Sequence, residues 1–94
     1  MRNTKTIHKF KDNNYIIDWY ISVSTNEYSK KYLQWAQEYS LEIAKIEKTI
    51  DYLRDNDRCR YNSKKQEYHR IMADLLEIQE ILIDRAFQID TKFP

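Results

Sequence analysis

Two histidines, His8 and His69, and one cysteine, Cys59, are the metal-ligating and nucleophilic side chains of greatest reach in this chain. A structural zinc site needs four such donors in short-spaced pairs, and these three have no such spacing. No metal is expected. Carboxylate pairs occur at Glu38/Glu42 and Glu77/Glu80. Their i,i+4 and i,i+3 spacing is that of helical di-metal bundles, but no Glu-x-x-His accompanies them. No Ser/His/Asp or Cys/His arrangement stands out, and a chain without glycine cannot build a Walker loop or a dinucleotide fingerprint. Catalysis and a bound cofactor are therefore not expected.

The remaining chemistry is contact chemistry. Between Arg58 and Arg70 five cations (Arg58, Arg60, Lys64, Lys65, Arg70) stand against one acid, Glu67, with Tyr61, Tyr68 and His69 interleaved. Cations neutralise phosphates and tyrosines stack on bases, which makes this a candidate nucleic-acid or nucleotide site. Asp55 and Asp57 stand beside it and weaken its field. From Ile71 to Asp90 the balance reverses, with Asp74, Glu77, Glu80, Asp84 and Asp90 against Arg85. A rod basic at one end and acidic along its flank can pair with a second copy or with a basic protein surface.

Those residues need elements to hold them. Ser63-Lys64-Lys65-Gln66 reads as a capping box that opens a helix at Lys64. Along it Tyr68, Met72, Leu75, Gln79, Leu82, Ala86 and Ile89 recur at alternating steps of four and three, a coiled-coil-like seam. Ile71, Ile78, Leu76, Ile83 and Phe87 widen the apolar face beyond what one partner helix covers. Gln79 is the lone polar member of the seam, a type of residue that sets register or oligomeric state.

A second capping box, Ser24-Thr25-Asn26-Glu27, opens an earlier helix expected over residues 25–55. Its seam is Tyr28, Tyr32, Trp35, Tyr39, Ile43, Ile46, Ile50 and Leu53. Asn56 is the candidate for a left-handed end, and a loop over 56–62 folds the two helices into an antiparallel hairpin. Leu41 and Tyr52 fall on the polar side of the first arm and Ile81 on that of the second, marking candidate protein contacts.

Ahead of the hairpin, Tyr15 to Ser24 is rich in β-branched and aromatic residues, with Ile17, Trp19, Ile21 and Val23 at period two. Asp12-Asn13-Asn14 offers a turn back to a strand over Thr6–Phe10, so a β-hairpin is expected. The alternative is a short helix, because Tyr15, Ile16, Trp19, Tyr20 and Val23 also fall at helical spacing. The expected fold is thus α+β and predominantly α. It is one domain over 1–94, with a hairpin segment over 1–24 and a helical hairpin over 25–89.

Composition bounds the function. The formal net charge is +1 at pH 7, which favours neither a strongly basic nor a strongly acidic partner. Asn, Lys, Ile and Tyr, all encoded by A+T-rich codons, are abundant, pointing to a low-GC genome, its phage or another mobile element. No window carries a membrane span or a secretory leader, and a single cysteine fits a reducing compartment, so the cytoplasm is expected. The leading reading is a non-catalytic protein-interaction module, a small phage or mobile-element regulator or inhibitor of a host protein. It is expected to form a homodimer built as a four-helix bundle through Leu75, Gln79 and Leu82. The alternative is nucleic-acid or nucleotide binding through Arg58, Arg60, Tyr61, Lys64, Lys65 and Arg70.

Overall fold

The structure, a computed structural model, describes the backbone of residues 4–92 and the side chains of residues 12–92. Three helices account for nearly all of it: α1 (Thr4–Val23), α2 (Glu27–Asn56) and α3 (Arg58–Lys92). The class is all-α, and the expected β-hairpin is overturned: no strand occurs among the described residues. The reason lies in which residues α1 buries. Asn13, Ile17, Tyr20 and Ser24, at steps of four, three and four, are all buried, with Ile17 at 1% exposure. This is a helical stripe whose ends are polar, and a count of apolar residues alone passes over it. Trp19 and Val23, members of the supposed strand face, are instead exposed. A helix closes its own backbone hydrogen bonds, whereas an isolated two-stranded hairpin leaves both outer edges unpaired and is marginal in water.

The helices pack up, down and up. Residues 24–26 join α1 to α2, and Asp57 alone joins α2 to α3. Antiparallel pairing of α2 with α3 shows in the contacts of Ser29 with Ala86 and of Ala36 with Gln79. Asn13 meets Gln79 and Ser24 meets Asp90, so α1 runs parallel to α3 in constant register. At about 1.5 Å per residue the 35 residues of α3 span some 52 Å, matching the molecule's long dimension of 52 Å against 17 Å across. In that register the 20-residue α1 lies along α3 from about residue 70 to residue 89, at the open end of the hairpin. There the molecule is a three-helix bundle; the distal tip is two helices.

Several expected boundaries are corrected. The N-cap of α2 is Asn26, whose Oδ1 accepts from the Tyr28 and Ser29 amides at 2.9 and 3.4 Å, so the helix starts at Glu27 and not at Thr25. Ser24 turns inward instead. The loop expected over 56–62 shrinks to one residue, and α3 starts at Arg58, six residues before the expected start at Lys64. Asp57 serves both neighbours: its amide donates to the Leu53 carbonyl at 2.8 Å, and its Oδ1 accepts from the Arg60 amide at 3.1 Å. A carboxylate at a helix start also meets the positive end of the helix dipole. Ser63, inside α3, bonds back to the Arg60 carbonyl at 3.0 Å. The left-handed residue expected at Asn56 is not used, since no described residue has positive φ; Asp57 turns the chain at φ −147°. Finally, α3 runs on past Ile89 to Lys92, while the tail residues Phe93 and Pro94 lie outside the described residues.

Two apolar clusters hold the rod. Distally, Ile43, Ile50, Met72 and Leu76 pack with Ile46, Tyr61, Tyr68 and Leu75 around them. Proximally, Tyr20, Leu33 and Ala86 bring the three helices together, with Ile21 and Tyr32 at the margin. In the proximal half of α2 the buried line is Ser29, Leu33 and Ala36, not the expected aromatic seam, and Tyr28 and Trp35 remain exposed. Small residues let three helices approach; indole and phenol rings fit only at the edge. Among the described residues no helix is long and apolar enough to cross a membrane.

Candidate docking groove

The proximal bundle is fixed by two polar layers. In the first, Gln79, with no exposed surface, donates from Nε2 to the Ala36 carbonyl at 2.8 Å and to Ser40 Oγ at 2.6 Å. Its Oε1 accepts from Asn13 Nδ2 at 3.1 Å, and the Ser40 hydroxyl passes its own proton to Asn14 Oδ1. Both amide protons and the carbonyl of Gln79 are thus used, across all three helices. The amide sets register within one chain.

The second layer is built on Asp90. Ser24 Oγ approaches Asp90 Oδ2 at 3.3 Å, and Ser29 Oγ lies 2.5 Å from Oδ1 and 3.0 Å from the Ala86 carbonyl. With one hydroxyl proton, Ser29 serves the charged acceptor as the stronger bond. The Tyr20 phenol also faces this carboxylate. Burial first, then the hydrogen bond to Asp90 and its negative charge, push the Tyr20 hydroxyl up to about 12. No buried side-chain polar atom is left unpaired among the described residues.

These layers hold α1 against the hairpin in a position that leaves an open groove of about 720 Å³ between α1 and α3. Its walls are Ile16, Trp19 and Val23 from α1 and Ile83 and Phe87 from α3. Trp19 is 56% exposed, Val23 52% and Phe87 59%, so three large apolar side chains line one trough in contact with water. Such clustering, unlike scattered exposed residues, makes the trough a candidate contact surface. Trp19 also meets the Tyr20 ring edge-on at 5.9 Å, so its indole rests on an anchored neighbour. Glu80 and Asp84 stand on the α3 side of the trough.

The residues marked by the sequence lie elsewhere. Leu41, Tyr52 and Ile81 are each more than half exposed. Leu41 and Tyr52 share the face of α2 turned away from α3, while Ile81 lies on the face of α3 opposite the buried Gln79, so the three do not form one patch. In the basic stretch, Arg58, Arg60, Lys64 and Arg70 are exposed but distributed around the first turns of α3. Lys64 pairs with Glu67 at 3.4 Å, and the Lys65 ammonium lies 5.7 Å from the Tyr61 ring centre. Tyr61 and Tyr68 are packed against the distal cluster. Leu75 and Leu82 are half-buried, and Gln79 is enclosed by its own chain.

Cys59 is exposed and His69 half-buried; the His8 side chain lies outside the described residues. Among the described residues no group of three or more His, Cys, Asp or Glu could hold a metal ion. The strand expected over residues 15–24 hides the groove. The signal was present in the helical alternative, where Ile16, Trp19 and Val23 fall at steps of three and four. Comparison with protein-family models, with curated proteins and with solved structures finds no match for this chain.

Proposed function

We propose that this chain is a non-catalytic protein-interaction module, a small regulator or inhibitor of phage or mobile-element type, and that the α1/α3 groove docks its protein target. The observation that carries the reading is the convergence of Ile16, Trp19, Val23, Ile83 and Phe87 in one water-exposed trough held by fully paired polar layers. Rigid, partly exposed aromatic side chains are the usual anchors of protein interfaces. Self-pairing into a four-helix bundle has less to cover than the width of the α3 stripe implied, because α1 lies along α3 at the open end of the hairpin. The nucleic-acid reading is the weaker one, since Tyr61 and Tyr68 are partly buried against the distal core. Cytoplasmic residence accords with the single, exposed Cys59.

A photoreactive benzoylphenylalanine placed at position 87, and separately at position 52, tests this in cells that carry the gene natively. One protein adduct of defined mass at position 87, absent at 52, is expected. A nuclease-sensitive adduct, or equal labelling at both positions, contradicts the reading.

A further inference from the structure

The walls of the groove are mostly apolar, but its α3 side is acidic. Over residues 13–25 and 77–90 the chain carries Asp18, Glu77, Glu80, Asp84 and Asp90 against one cation, Arg85, while Lys5, Lys9 and Lys11 precede the groove on α1. Asp90 is engaged internally by Ser24 and Ser29; Glu77 and Asp84 are exposed on one ridge of α3, where Asp84 also accepts from Gln88 Nε2 at 3.1 Å. From Asn13 to Thr25 the groove runs about 18 Å, the length of some twelve helical residues. Its walls are two parallel helices, with Ile16, Trp19 and Val23 at steps of three and four facing Ile83 and Phe87 at a step of four. That is the shape of a missing fourth helix of the proximal bundle.

We propose that the groove is filled by a three-turn amphipathic helix of a partner protein, with aliphatic anchors on one face and Lys or Arg along the flank that meets Glu77 and Asp84. The apolar face lies on Trp19 and Phe87, as in other helix-in-groove complexes, and the basic flank selects among candidate helices. This rests on the groove being a protein-docking surface; what it adds is the shape and the charge of what docks.

The test uses the full chain carrying Trp35→Phe, which leaves Trp19 in the groove wall as the only tryptophan of two. Two synthetic 14-residue helical peptides share one Leu/Ile face; one has a lysine flank and the other a glutamate flank. Trp19 emission and anisotropy report binding. The lysine peptide is expected to bind at least tenfold tighter at low salt, because two attractive pairs replace two repulsive ones and each contributes a factor of about two. Salt should narrow that gap as the screening length shrinks to about 10 Å at 0.1 M. Glu77→Lys/Asp84→Lys should abolish or invert the preference with the helical circular dichroism unchanged. Phe87→Lys, or Val23→Lys if the former misfolds, should abolish binding of both peptides.

Equal affinity for the two peptides in the unaltered groove overturns the charge claim while leaving the groove a docking surface. No binding of either peptide, with the position-87 adduct still formed, overturns the helical occupant alone. No binding together with no adduct overturns both this inference and the reading beneath it. Sedimentation showing a dimer that Phe87→Lys dissociates assigns the groove to a second copy and also overturns the proposal.

Discussion

Gln79→Met is the substitution that asks most of the bundle's construction. Methionine keeps the length and helix preference of glutamine and removes only its polar end. The change deletes the bonds to the Ala36 carbonyl and Ser40 Oγ and leaves the Asn13 Nδ2 donor buried with no acceptor. Neutral hydrogen bonds contribute about 1 kcal/mol each and an orphaned buried donor costs about 1–3 kcal/mol, while burying the thioether returns about 1–2 kcal/mol. The net expectation is a loss of about 2 kcal/mol, or about 8–16 °C in Tm for a domain of this size. Removing the other partner as well, in Asn13→Leu/Gln79→Met, should restore most of the loss, because two apolar groups leave no buried donor behind. Urea titrations followed at 222 nm, arranged as a double-mutant cycle, should give a favourable coupling of about 1–2 kcal/mol. A single mutant as stable as the parent, or two additive mutants, would mean that Asn13 and Gln79 do not meet and that α1 is not seated where the polar layer puts it.

Further expectations follow from other contacts. Tyr20 keeps its proton more tightly in the folded chain, with a value raised from 10.0 to about 12. Its contribution is therefore complete below pH 10 and is lost as pH rises from 10 to about 12. Tyr20→Phe should flatten that part of the alkaline stability curve relative to the parent, measured by Tm between pH 8 and 12. Leu76→Ala, in the distal core, should cost about 2–5 kcal/mol in urea, whereas Ile81→Ala, 53% exposed, should stay within about 0.5 kcal/mol. Asp57→Ala removes the acceptor for the Arg60 amide and should cost about 1 kcal/mol in the same titration.

The hairpin was legible because its signal is redundant. Met72, Gln79 and Ala86 repeat at seven residues and all three are buried, and Ile43 and Ile50, from the aliphatic half of the α2 seam, pack with Met72 and Leu76. Gln79 stood out as the polar member of that seam, and its partners explain why it is there. The N-terminal segment was harder, because its buried stripe begins with Asn13 and ends with Ser24 while its largest apolar side chains point into the groove. Burial there is shared between the apolar Ile17 and Tyr20 and the polar layers at either end. The same competition displaced the aromatic seam of α2 in favour of Ser29, Leu33 and Ala36, whose small size suits a three-helix junction. At Ser63 the local motif was sound, yet Asp57 started α3 earlier because one residue can close one helix and open the next. A groove between α1 and α3 is a tertiary feature, visible only once α1 is a helix parallel to α3.

The central claim is that residues 4–23 form a helix lying along α3, with the groove opened between them. A carbon-edited NOESY on isotopically labelled chain tests it most directly. Cross-peaks from the Tyr20 ring to the Ala86 and Leu33 methyls, together with helical Cα shifts over residues 12–23, are the expected result. Strand-like shifts in that stretch, or a Tyr20 ring with no cross-peak to Ala86, would contradict the fold and remove the groove with it.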